Sequence, residues 1–392
     1  MGRRVGQTAL DNRIRQRRQA AGLSQQALAT RCGLTRQAIN AIEAGQYVPS
    51  TLFALRLART LGSRVEDLFR LPEERPRVEA EWVGETPVEA TARQRIRLAR
   101  VGQRLLARPL TGAKSAFTAA DGVTAPAAQI ARTPTASGNW VTVDLLIDAQ
   151  LPENTVVILG CDPALELLGA HVTRRYPAFR LMWVQRGSLA ALRMLGRGEA
   201  HAAGTHLWDP ESGEYNLPYI RRELAGRRVV VVTLSQWQQG LIVARGNPKG
   251  ITGPADLARQ DLTIVNREAE AGSRTMLDVW LRQAGIAPHW VRGYAREVLS
   301  HAEVAEAVAS GAADVGPGIL AVARALGLDF LSLQEERYDL VIPAEFLNAA
   351  PVQAVLDIAV SAPFQAELEV LGGYDSSRTG TVVAELPATG AS

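Results

Sequence analysis

The chain has 392 residues, 47% of them apolar and 21% charged, with a net charge of +3. That length supports two or three domains with a sizeable core, and the composition excludes a disordered chain. No apolar run reaches the roughly 18–20 residues of a membrane span and no secretory apolar segment follows Met1, so the cytoplasm is the expected compartment.

The two cysteines, Cys32 and Cys161, stand far apart in unrelated contexts, which argues against a disulfide framework or a cysteine-based zinc site. Charge is segregated. Residues 1–70 carry 12 arginines against 4 acids, a net +8, and the remainder carries 31 basic against 36 acidic residues, a net −5. A basic N-terminal module suits a polyanionic partner such as double-stranded DNA.

Five short helices are predicted in that module. The first runs from about Asn12 to Gly22, and Ser24 caps the second, which Gly33 breaks. Thr35 caps a third with Ala38, Ile39 and Ile42 on one face, Ser50 or Thr51 caps a fourth, and Ser63 precedes a fifth. Helix, Gly-containing turn and helix make a helix-turn-helix whose second helix lies in the major groove. Its exposed side chains are expected to be Thr35, Arg36, Gln37 and Asn40, types suited to base edges. Gln25 is expected on a phosphate, with Arg13, Arg15, Arg17 and Arg18 adding backbone contacts. The stretch "GLSQQALATRCGLTRQAINAIEAGQYVPSTLFALRLARTLGSRVEDLF" resembles the Xre/Cro-type helix-turn-helix of bacterial repressors over its whole length. The resemblance implies operator DNA as partner, and repressor logic implies a homodimer.

Three domains are expected: the all-α module over 1–71, a linker and small β-rich segment over 72–138, and an α/β domain over 139–392. Residues 72–95 are rich in Pro and charge. "RIRLARVGQRLLARPL", "FTAADGVT" and "GNWVTVDLLI" read as strands, the last opening the α/β domain. From Pro152 strands and helices alternate, which implies parallel sheets with ligand beyond the strands' carboxyl ends. Ser300 and Glu303 form a predicted capping box.

"RGEAHAAG" and "SGAADVGPG" echo one another, and with "ARGNPKGITGPADLA" they resemble a two-lobed type-2 periplasmic-binding-protein fold. "GCDPALELL", "GSLAALRMLGRGEAHAAGTHLWDPESGEYNLPYI", "QGLIVARGNPKGI", "VASGAADVGPGI" and "LDFLSLQEERYDLVIP" are similar to the binding-protein-like domain found behind helix-turn-helix modules and fused to molybdopterin-biosynthesis proteins. That resemblance implies a ligand-responsive transcriptional regulator linked to molybdate, tungstate or molybdenum cofactor as effector, with no obligatory cofactor and no enzymatic activity.

Three strand-to-helix junctions are candidate ligand contacts. One is Gly187-Ser188. Another is "VNREAEAGSRTMLDVWL", with Asn266, Arg267, Ser273, Arg274 and Thr275, which resembles the anion-binding loop of tungstate-type binding proteins. The third is Cys161-Asp162, where Asp162 is an expected N-cap. Taken singly, each Ser or Asp here reads as a helix cap first; three such junctions together point to ligand at one or two. Thr205, His206 and Asp314 complete the candidate set, beside Tyr215 and Asn216. His201, His206 and His301 lack metal-ligand spacing, so no metal ligands are expected. Glu268, Glu270 and Asp162 add negative charge, which leaves an organic solute or pterin as the alternative to an oxyanion. A DNA-tethered enzyme or carrier is the alternative from another class.

Overall fold

A computed structural model describes residues 11–70, 76–84, 93–112, 115–125 and 140–388. Part of the linker read over 72–95 lies outside the described residues. The chain divides into two compact units, residues 1–76 and 77–392. No helix among the described residues is long and apolar enough to cross a membrane.

The first unit holds helices α1 (Ile14–Ala20), α2 (Gln25–Cys32), α3 (Arg36–Glu43), α4 (Thr51–Thr60) and α5 (Val65–Leu68). Local chemistry sets its punctuation. Ser24 and Thr35 accept from the Ala27 and Ala38 N–H groups, and Gly33 ends α2 in the left-handed conformation at φ 70°. Ile14, Leu28, Ile39, Ile42, Leu57 and Leu68 fill a small core. Arg18, expected on DNA, instead forks onto Glu43 at 2.6 and 3.1 Å and ties α1 to the end of α3.

The second unit begins with a closed five-stranded barrel: β1 (Arg77–Trp82), β2 (Arg95–Val101), β3 (Arg104–Pro109), β4 (Gly122–Thr124) and β5 (Trp140–Leu145), in the ring order β1-β3-β2-β4-β5. Strand β5 was expected to open the α/β domain. It pairs with β1 and β4 instead, because closing the ring satisfies both its edges. Side-chain alternation explains why β2 and β3 read as apolar runs. Ile96, Leu98, Leu105 and Ala107 fill the barrel, while Ala99, Val101 and Leu106 join the core of the following domain. Arg180 fastens the two layers, forking onto Asp121 at 2.6 and 2.7 Å.

The α/β domain follows. Strands β6 (Thr155–Gly160), β7 (Arg180–Gln185) and β8 (Ala202–Thr205) are parallel, linked through α6 (Ala164–Arg175) and α7 (Ser188–Gly196). Beyond them the sheet departs from the parallel expectation. "RVVVVTLS" and "QGLIV" are one strand, β9 (Val229–Val243), preceded by α8 (Leu217–Glu223). Then come α9 (Gly272–Gln283), α10 (His301–Ala309), β10 (Val315–Ile319) and β11 (Asp329–Pro343), another fifteen-residue strand. Strands β9 and β11 are antiparallel along their whole length, with register shifts at Thr233/Ser235 and Gln239/Gly240. Gly240 sits where a Cβ would lie 1.9 Å from the Leu331 carbonyl oxygen, so only glycine fits that shift.

These two strands span both lobes. Their outer halves carry Val229–Val232 and Leu340–Ile342 into the cores of lobe one, with β6, β7 and β8. Their other halves carry Leu241 and Val243 into lobe two, whose core includes Ile264, Leu277, Trp280 and Val315. Helices Ala350–Ala359 and Ala362–Leu371 return to pack on α6.

His201 lies under the barrel with its Nδ1 accepting from the Val157 N–H at 3.0 Å. Burial holds its pKa down at about 4, against a backbone hydrogen bond to Arg100 that favours the charged ring. Between pH 6.5 and 4 the unfolded chain therefore binds the proton that the folded chain refuses. Stability contributed by neutral His201 is complete above pH 6.5 and is lost as pH falls to 4, by roughly 3 kcal/mol. Urea unfolding of His201→Gln should show a correspondingly shallower loss between pH 7 and 4.5 than the parent chain. Equal losses in both would refute the assignment.

Candidate functional site

The site lies where the lobes meet. Strand β8 ends at Thr205, and His206 follows with its ring 0% exposed. Its Nδ1 is 2.8 Å from Glu336 Oε2 on β11, and that oxygen also accepts from Trp237 Nε1 on β9 at 3.1 Å. Its Nε2 is 3.2 Å from Cys161 Sγ at the end of β6. Burial opposes a charged ring, but the facing Cys161 and Glu336 outweigh it and push the His206 pKa up to about 10.

Lobe two closes over this group. The Cα of Gly272, which opens α9, lies so close that a Cβ would meet the His206 ring at 2.6 Å. The ring of His301, the first residue of α10, lies tilted 6.2 Å from His206 and edge-on 5.8 Å from Trp237, ring centre to ring centre. Burial, then the charges of Arg267 and His206, hold His301 neutral. Gln185 donates to the Leu299 carbonyl at 2.9 Å, the Leu189 N–H donates to that of Glu270 at 3.2 Å, and Arg193 pairs with Glu270, so the lobes are latched shut.

Of the expected ligand contacts, five are occupied by the fold. Asn266 holds the Arg267 N–H and the Tyr294 carbonyl. Arg274 turns to Glu297, Asp278 and the Tyr294 ring. Thr275 bonds back to the Ala271 carbonyl, Asp314 accepts from the Thr263 N–H, and Thr205 donates to Asn216. Asp162 is held through one oxygen: Oδ1 accepts from the Ala164 N–H at 2.9 Å and from the Tyr374 hydroxyl at 2.7 Å, while the buried Oδ2 has no partner among the described residues. Burial raises its pKa to about 6 against those two bonds. Ser188, expected as a cap, instead receives the His206 N–H at 3.3 Å. Gly187 packs on Glu268 and Glu270, where a Cβ would be 2.9 Å from each.

Arg267 and Ser273 stay open to a ligand. Arg267 is 0% exposed; Nε and NH2 fork onto Glu268 at 2.9 Å each, and NH1 has no partner among the described residues. Ser273 lies inside the first turn of α9, with its Oγ buried and equally unpartnered. Sequence reasoning missed the contribution of the long strands. Ser235, Trp237 and Gln239 alternate onto one face of β9, all buried, and Glu336 and Tyr338 do the same on β11. Both ends of the Gln239 amide and Glu336 Oε1 lack partners among the described residues. Their signal was the polar run "SQWQQ" inside an otherwise apolar strand.

In the first unit Thr35, Arg36, Gln37 and Asn40 are exposed along α3, and Arg13 and Arg17 along α1. Gln25 reaches Glu43 at 3.0 Å and Asn40 at 3.4 Å, bridging α2 to α3.

Comparison with known proteins agrees with this division. A helix-turn-helix family model matches residues 14–68 and a PBP superfamily domain model matches residues 169–360. The Bacillus subtilis protein YvgK is 36% identical over 230 residues, 59% of this chain and 74% of YvgK. The chain belongs to the YvgK family. Its first unit is an Xre-type helix-turn-helix domain, and the chain is 50% identical over 62 residues to an HTH-type transcriptional regulator of Methanothermobacter thermautotrophicus, covering 16% of this chain and 90% of that protein. A phosphate ABC transporter substrate-binding protein with bound phosphate from Clostridium perfringens is 14% identical, with 56% of this chain and 98% of that one covered at a TM-score of 0.44.

Proposed function

We propose that this chain is a ligand-responsive, DNA-binding transcriptional regulator, homodimeric on its operator, whose interlobe cleft binds a molybdenum- or tungsten-related anion or the cofactor that carries the metal. The observation that carries the reading is the set of buried donors without partners among the described residues: Arg267 Nη1 and Ser273 Oγ from lobe two, and the Gln239 amide from the crossing of β9. Buried donors left without an acceptor cost about 1–3 kcal/mol each, and an oxyanion seated among them removes that cost. Binding that draws on both lobes favours the closed arrangement and, through a dimer, alters the spacing of two recognition helices.

A second reading rests on the acids. Glu268 already neutralises part of the Arg267 charge, and Glu336 Oε1 is a buried acceptor that asks for an N–H or O–H donor. A pterin, free or within molybdenum cofactor, offers such donors where bare molybdate does not.

Calorimetry on the full chain with molybdate, tungstate, sulfate, phosphate and a pterin separates the two. The first reading expects heat with molybdate or tungstate and at least a fivefold change in affinity for DNA selected by the protein from random duplexes. Heat with the pterin alone moves the assignment to the second. DNA affinity indifferent to all five would end the sensing proposal.

A further inference from the structure

The residues that close the cleft include a donor set no helix spacing announces. Cys161, His206 and His301 are 2%, 1% and 1% exposed, and each offers one ligand atom within 4.8 Å of the others. They come from three elements and both lobes: Cys161 from the end of β6, His206 from beyond β8, His301 from the start of α10. We propose that these three residues bind a divalent metal ion of the zinc class, and that the ion clamps lobe two onto lobe one.

Three observations carry this. One thiolate and two imidazoles are a donor set suited to zinc, and three protein ligands leave a position for an exogenous donor. The Glu336 carboxylate, 2.8 Å from His206 Nδ1, holds a proton on that nitrogen and leaves Nε2, 3.2 Å from Cys161 Sγ, as the atom that meets a metal in exchange for its proton, the outer-shell arrangement of a metal-bound histidine. Finally, neither nitrogen of the buried His301 has a hydrogen-bond partner among the described residues. A hydrogen bond between Cys161 and His206 accounts for the first pair but leaves His301 with two unmet polar atoms in a dry interior; a shared ion accounts for all three. The charges suit it, since the Cys161 thiolate and the Glu336 carboxylate together balance a divalent ion. Metal binding here does not depend on which effector the cleft takes.

The test uses the full chain freed of metal with a chelator and titrated with Co2+. One equivalent should produce a thiolate-to-cobalt charge-transfer band that Zn2+ abolishes on displacement. Cys161→Ser should remove the band, His301→Gln should weaken Zn2+ affinity roughly 100-fold, and Cys32→Ser should change neither. Circular dichroism of the metal-free variants establishes that each is folded. No band in the parent chain, a band that depends on Cys32, or unchanged Zn2+ affinity in His301→Gln overturns the proposal. Calorimetry with molybdate and tungstate on the metal-free chain runs in parallel. Oxyanion binding without the cobalt band rejects the metal site alone, and a cobalt band without oxyanion binding rejects the oxyanion reading alone.

Discussion

Arg267→Met should lower the calorimetric unfolding midpoint of the second unit by roughly 6–20 °C and weaken molybdate or tungstate binding at least 100-fold. The guanidinium is fully buried, and its fork onto Glu268 is the means by which that carboxylate, 18% exposed, tolerates its position against Gly187. Removing one partner of a buried pair costs about 3–5 kcal/mol, mostly as the uncompensated charge left behind. In a unit of this size each kcal/mol moves the midpoint by about 2–4 °C. The Leu299 carbonyl, bonded by NH2 at 3.2 Å, loses its donor at the same time, and that carbonyl also receives Gln185 from lobe one. Stability and closure should therefore fall together. Arg267→Lys should not restore either, because an ammonium cannot span two carboxylate oxygens and a carbonyl in one plane. Arg274→Met is the control: its partners lie within lobe two, so it should cost stability while leaving oxyanion affinity within a few fold. An unchanged midpoint and unchanged affinity in Arg267→Met would remove Arg267 from the site.

What the sequence discloses follows the range of the interaction. Ser24, Thr35 and Gly33 act within four residues of themselves, so the caps of α2 and α3 were legible, while Ser50 stands at the cap position of α4 without a side-chain bond to the helix. The same logic misled at the cleft. Ser188 and Ser273 read as caps, yet the first serves the His206 N–H and the second caps nothing. Asn266 read as a ligand contact, yet backbone groups absorb it. Tertiary neighbours decide between a cap and a contact, and the local pattern is identical.

The long strands were hidden for a related reason. A half-buried strand announces itself by alternation and a fully buried one by unbroken apolar character. Strands β9 and β11 are apolar at the lobes and polar at the crossing, at "SQWQQ" and "QEER", so neither signal runs through their whole length. The polar residues are there because the crossing faces the cleft. Cys161, His206 and His301 are separated by 45 and 95 positions, and only the sheet order β6-β8-β11-β9-β10 brings their ends together.

Arg18→Met should unfold the helix-turn-helix unit at temperatures where the second unit remains folded, and DNA binding should vanish with it. Arg18 is 11% exposed and Glu43 4%, and three bonds hold the arginine: two to Glu43 and one to the Leu23 carbonyl at 2.8 Å. Gln25 completes the set from α2, so the network fixes α1, α2 and the C-terminal end of α3 against one another. Among the described residues, only nine make up the buried core cluster beneath it. At about 0.05–0.15 kcal/mol per residue, a domain of this length has roughly 3–9 kcal/mol of stability. Stranding Glu43 costs about 3–5 kcal/mol, a large part or all of that. Arg18→Met/Glu43→Leu tests the cause as well as the effect. Replacing both charges with apolar side chains of similar volume removes the stranded carboxylate, so most of the lost stability should return. Calorimetry on the full chain reads the two units as separate transitions. If Arg18→Met left the first transition in place, the ion pair would be incidental to the fold, and Arg18 would revert to the phosphate contact its position in a basic run suggests.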